Sequence, residues 1–180
     1  MFELILSAIG LGIMLSLVFI GPIFFLLIET SFSRGPKHAL ALDLGVIVAD
    51  ILCITAAFFA SADLIQLIDK HPGFYRITSF IILIYAVYMV VSKTRMHLAG
   101  EEKMIGQNYF KTFLNGFFFN ILNIGVVLFW LVTVISVRNA YPKLDEFLLY
   151  MALVVGTYLA IDFFKIYLAK QFHYKLTERL

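Results

Sequence analysis

The chain has 180 residues, of which 62% are hydrophobic and only 14% charged, with a net charge of +2. A soluble domain carries about a quarter charged residues, so this is the composition of a membrane protein. The small net charge argues against a nucleic-acid partner, and the single cysteine, Cys53, excludes an internal disulfide framework and a two-cysteine redox relay.

The first apolar stretch, Leu4–Ile28, follows Met1-Phe2-Glu3 without a positive n-region and has no small-x-small cleavage site before the next polar loop. It therefore reads as a span rather than a signal peptide. Gly21-Pro22 interrupts it, and proline removes a backbone donor and clashes with the preceding turn, which predicts a kink or break. Carbonyls freed there need protein, water or solute as partners. Glu29 closes the stretch and reads either as an interfacial acid or as part of a polar path.

The second stretch, Ala39–Ser61, carries Asp43 and Asp50, seven residues apart and so on one helical face. An Asp at the bilayer centre costs on the order of 2.5–3.5 kcal/mol. Asp50 lies roughly 16 Å along the helix at about 1.5 Å per residue, near the midplane. It is either a structural acid bonded to a neighbouring helix or a proton or cation site. Asp43 is about one turn in, where it can reach the headgroups or pair with Arg34 or Lys37. Beside the acids runs a stripe of small residues, Ala41, Gly45, Ala49, Cys53, Ala56 and Ala60, that predicts close helix packing.

The third stretch, Ile77–Val91, is the shortest and can extend back through Phe74-Tyr75. The fourth, Thr112–Val137, places Gly116, Asn120 and Asn123 on one face that continues towards Val127 and Trp130. These asparagines can bond across helices or bind a polar solute. The fifth, Phe147–Ala169, holds Asp162 and Lys165, which three-residue spacing lets pair within the helix. That pair either neutralises itself or, through Asp162, provides a counterpart to Asp50.

The stretches are near-continuous rather than alternating, which excludes a β-barrel and leaves helices to satisfy the backbone in lipid. The fold class is an all-α integral membrane protein forming a single domain over 1–180, with five spans. Arg34 and Lys37, then Lys93, Arg95, Lys103 and Lys111, then Lys170, Lys175 and Arg179, fall on one side. The opposite loops hold fewer basic residues, Lys70, Arg76, Arg138 and Lys143, with Asp69, Asp145 and Glu146 nearby. The bias puts the N-terminus outside and the residue-180 end in the cytoplasm. Tyr75, Tyr141 and Tyr150 then fall at the outer boundary and Tyr109 at the inner one.

The two halves echo each other. Gly21-Pro22 precedes Gly45 to Asp50, and Asn123-Ile124-Gly125 precedes Gly156 to Asp162. An odd number of spans between the copies would invert one relative to the other. The first repeat covers 1–95 with three spans and the second 109–180 with two, a sixth span being absent from the sequence given. Inverted repeats with interrupted helices mark transporters. His38, His71, His97 and His173 all fall in loops or the tail, and no nucleotide loop, HExxH or GxSxG is found. No enzyme chemistry, metal or cofactor is expected.

The chain resembles the LysE-type translocator family, which includes lysine and homoserine-threonine exporters. The resemblance rests on Gly21-Pro22-Ile-Phe-Phe-Leu-Leu, Ser33-Arg34-Gly35, Ala39 through Gly45 to Asp50, and Phe113-Leu-x-Gly116 through Asn120-Ile-Leu-Asn123. It covers essentially the whole chain, and its specificity lies in the order of short motifs. It implies a six-helix (3+3) exporter of amino acids or similar small polar metabolites in the bacterial inner membrane, working by proton-coupled alternating access. Asp50, Asp43, Asp162, Asn120, Asn123 and Glu29 would then line the path, with Gly21 and Pro22 at the helix break. Partners would be the bilayer and the solute, with homo-oligomerisation left open. Ile124 stands where the family carries proline, which removes the covalent reason for a break in the fourth helix, with Gly125 a partial compensation. The alternative is a non-transporting scaffold or accessory subunit whose acids pair with another protein.

Overall fold

The computed structural model describes residues 1–18, 22–70, 80, 84 and 108–177, with side chains described over most of that range. Among the described residues six helices follow in chain order: α1 (Phe2–Val18), α2 (Pro22–Arg34), α3 (Pro36–Lys70), α4 (Tyr109–Ile121), α5 (Ile124–Ala140) and α6 (Leu144–Thr177). Among the described residues there is no strand.

Pro36–Ser61 and Leu144–Leu168 are each long and apolar enough to cross a membrane, and α4 with α5 makes a further span if the bent pair is taken as one. Phe2–Ser16 is a shorter apolar helix. The expected third span, Ile77–Val91, lies outside the described residues apart from Phe80 and Ile84.

Over the expected first span the described residues form α1 and α2, with 19–21 outside the described residues. α1 ends at Val18 and α2 begins at Pro22, where proline suits the first helical turn because its missing N–H has no partner to lose. Gly21 itself lies outside the described residues. α2 ends at Arg34, and Gly35 takes a φ of +88° before Pro36 opens α3. Only glycine enters that left-handed region without strain. Gly35→Ala is expected to lower stability by about 1 kcal/mol, read as a drop in melting temperature.

The fourth span is broken despite the absence of proline. α4 and α5 meet at an angle of 66°. Asn123 leaves helical geometry at φ −79°, ψ 101°, and its side chain accepts a hydrogen bond from Gly125 N at 3.0 Å. An asparagine N-cap starts a new helix by satisfying an amide that the old helix no longer serves. Asn123→Ala is expected to cost about 1 kcal/mol of stability in thermal unfolding.

α3 is the central helix, packing against α2, α4, α5 and α6, while α1 lies along α6. Its buried face holds Leu42, Val46, Ala49, Cys53, Ala57 and Ser61. Its other face exposes Leu44, Val48, Ile51, Leu52 and Phe59, the bulky apolar surface that lipid tolerates. The small-residue stripe is therefore only partly the packing face. Gly45, Ala49 and Cys53 are buried, but Ala56 and Ala60 are exposed, and Ala57 and Ser61 take their place. The expected stripe takes a three-residue step from Cys53 to Ala56, whereas the buried line keeps four-residue steps through Ala57 and Ser61.

At the α3–α4 crossing Gly45 lies against the Phe113 carbonyl and Gly116 against the Leu42 carbonyl. Backbone meets backbone there, which only hydrogen side chains permit. Further along α3, Arg138 Nη1 donates to the Phe58 carbonyl at 3.0 Å and to Ser61 Oγ at 2.5 Å, with its guanidinium 4.4 Å from the Phe58 ring centre. Arg138 thus fastens the end of α5 to α3 rather than standing as a free loop charge.

His38 and Tyr150 also depart from their expected places. His38 is in the first turn of α3, buried, with Nδ1 3.1 Å from Thr112 Oγ1 and its ring stacked on Tyr109. It cross-links α3 to α4. Tyr150 is buried rather than at the lipid boundary, 5.6 Å from the Tyr141 ring.

Candidate functional site

α3 carries Asp50 into the interior, and the carboxylate is met by donors from three other helices. Asn120 Nδ2 on α4 donates to Oδ1 at 2.8 Å, Trp130 Nε1 on α5 donates to the same oxygen at 2.7 Å, and Tyr158 Oη on α6 donates to Oδ2 at 2.8 Å. All four residues are buried. The α4–α5 break matters to this geometry: a turn of 66° between Asn120 and Trp130 brings the side chains of both helices to one oxygen. Asn120 Nδ2 also donates to the Val46 carbonyl at 3.0 Å, so both its N–H groups are committed.

Three hydrogen bonds thus surround one acid, each from a neutral donor. A carboxylate in apolar surroundings is costly without such bonds, and hydrogen bonds to charged groups contribute about 1.5–3 kcal/mol each. The cage also leaves lone-pair capacity on Oδ2, which accepts a single bond from the described residues.

A second cluster sits at the junction of α1 and α6. Lys165 Nζ lies 2.8 Å from Asp162 Oδ1, and both side chains are about six-sevenths shielded, at 14% and 15% exposure. Ser16 Oγ donates to the same Asp162 oxygen at 2.6 Å. Lys165 Nζ also donates to the Ser16 carbonyl and stands 5.1 Å from the Phe24 ring centre. A lysine thereby holds a carbonyl in the last turn of α1.

One cavity of about 200 Å³ joins the two clusters. Asp50, Tyr158, Asp162 and Lys165 line it, and so do Asn120 and Asn123. α1 and α2 border it through Ser16 and Phe24, and the bent α4–α5 pair through Asn123 and Gly125. The rest of the wall is aliphatic and aromatic.

The expected site residues are distributed as follows. Asp50, Asn120, Asn123 and Asp162 come together at the cavity. Asp43 does not pair with Arg34 or Lys37 among the described residues, and it is buried at 3% exposure, within electrostatic reach of Asp162, Asp50 and Lys165. Glu29 is exposed on α2 and does not line the cavity. Pro22 opens α2, and Gly21 lies outside the described residues. Ser16, Trp130 and Tyr158 were not singled out as site residues from the sequence. Tyr158 precedes Asp162 by one helical turn, the spacing that would have pointed to it. Among the described residues no three His, Cys, Asp or Glu side chains converge as a metal site would require.

Charged side chains gathered round a cavity inside an apolar helical bundle, beside the bent α4–α5 pair, are what a membrane transporter of small solutes presents. Residues 14–178 match the family described as LysE type translocator, and the chain belongs to that family. Comparison with curated proteins and with solved structures found no match.

Proposed function

We propose that the protein exports amino acids or similar small polar metabolites across the bacterial inner membrane, with protons entering in exchange. The observation that carries this reading is the cavity at which Asp50 and Asp162 meet, one acid from each half of the chain. Asp50 exchanges a proton or holds an ammonium group. Asn120, Trp130 and Tyr158 position its carboxylate, and Asn123 offers polar contact to the solute. Asp162 is the second acid of the path, and Asp43 supplies negative charge on the same side of α3. Glu29 stays outside the path.

Two repeats, 1–95 and 109–180, related by inversion, would rock about this cavity to expose it to either side. The break between α4 and α5 supports that motion, because freed backbone groups at a break can serve solute in one state and protein in the other. The N-terminus lies outside and the residue-180 end in the cytoplasm, as the basic loops favour.

Reconstitution of the full chain in proteoliposomes tests the proposal. Vesicles loaded with labelled amino acids should release them faster than protein-free vesicles, and an imposed proton gradient should accelerate release. Release indifferent to the protein would remove the export reading, and release indifferent to the gradient would remove the coupling.

A further inference from the structure

We infer that the cavity selects a zwitterion of zero net charge with an aliphatic side chain, such as leucine, rather than a basic amino acid. The inference rests on the export reading and narrows it.

The argument begins with the charges. Lys165 and Asp162 form a matched pair on the cavity wall, 2.8 Å apart and largely shielded from solvent. A solute carboxylate can take Lys165 from Asp162 and from the Ser16 carbonyl. If only that happened, Asp162 would keep Ser16 Oγ but lose its cation in a poorly solvated space. An ammonium group alone would release Lys165 instead. Leaving either member of such a pair unpartnered is strongly unfavourable. A solute carrying both groups on one carbon exchanges with both partners at once and leaves no charge uncompensated.

The remaining side chain then meets Ile23, Leu27, Val46, Val126 and Phe129, all apolar. Asp50 is the other carboxylate on the wall, and Asn120, Trp130 and Tyr158 already cage it with three donors. A basic side chain reaching Asp50 would meet a carboxylate already stabilised by three donors, with only the free capacity of Oδ2 left to it. The volume, about 200 Å³, exceeds the roughly 150 Å³ that holds benzene and suits an aliphatic group with its charged end.

The test compares four ligands on the detergent-purified full chain: leucine, lysine, isocaproate (leucine without its amine) and isoamylamine (leucine without its carboxylate). Leucine should raise the melting temperature, with an apparent affinity at least about tenfold above the others. Equal stabilisation by either single-charge analogue, or stronger stabilisation by lysine, would overturn the inference. The double variant Asp162→Asn with Lys165→Gln removes both charges together, so no unpaired charge remains to unfold it. It should lose the leucine effect, and an undiminished effect would also overturn the inference. In proteoliposomes, export of lysine without leucine would remove this selectivity and leave the export reading standing. Failure to export any amino acid would remove both.

Discussion

Asp50→Asn is expected to abolish export while leaving a folded protein. Asn is nearly the same shape as Asp, and its carbonyl can take the place of Oδ1, accepting from Asn120 and Trp130. Its amide then faces Tyr158, whose hydroxyl can turn and accept where it formerly donated. Each hydrogen bond of the cage keeps a partner, so the melting temperature should move by only a few degrees. The negative charge alone is lost. A charged hydrogen bond contributes up to about 3 kcal/mol, so transport should fall on the order of a hundredfold. Efflux equal to wild type at every pH would take Asp50 out of the mechanism. Tyr158→Phe is the milder companion: it removes one donor from Oδ2 and should leave partial transport with the proton-gradient response altered. These comparisons separate a transport role for Asp50 from the structural role that four bonded helices also suggest.

Gly45→Ala and Gly116→Ala are expected to have the largest effects on stability. A methyl at Gly45 would collide with the Phe113 carbonyl, and one at Gly116 with the Leu42 carbonyl. Neither obstacle is a side-chain tip that can swing away. Both are helix backbone, so α3 and α4 must part. Overpacking of this kind costs about 1–3 kcal/mol, and separation would also pull Asn120 away from the Val46 carbonyl. The two substitutions should be less than additive, because helices parted for one methyl already have room for part of the second. Thermal unfolding of the single and double variants measures this. Gly10→Ala and Gly156→Ala are the controls, since an added Cβ meets nothing within 4 Å at either position. They should be neutral or slightly stabilising, as alanine favours helix over glycine by about 1 kcal/mol. Equal losses at all four positions would show that the crossing is not specially close.

The depth and expense of Asp50 were visible in the sequence because a charge within an apolar run has no local explanation. The pairing of Asp162 with Lys165 was visible because three-residue spacing is a local property of a helix. The start of α2 at Pro22 was visible for the same reason: proline acts on its own turn. By contrast, the break at Asn123 was obscured because Ile124 stands where proline would be decisive, while an asparagine cap works only once the chain has left the helix. His38 looked like a loop residue because Pro36 does not reveal that α3 starts with it, or that Thr112 and Tyr109 wait on another helix. The buried face of α3 shifted from Ala56 and Ala60 to Ala57 and Ser61 because a run of small residues does not say which line the neighbours follow.

By itself, then, the sequence determined a helical membrane chain with acids inside its apolar stretches, since hydropathy, proline and short spacings act within a turn or two. Only the tertiary structure decided what surrounds those acids. Asn120, Trp130 and Tyr158 are 70, 80 and 108 residues from Asp50 in the chain, and Ser16 is 146 from Asp162. Hydrogen-bond partners at such separations are chosen by how helices cross, and although the sequence marked Gly45 and Gly116, only the fold shows that each lies against the other helix's backbone.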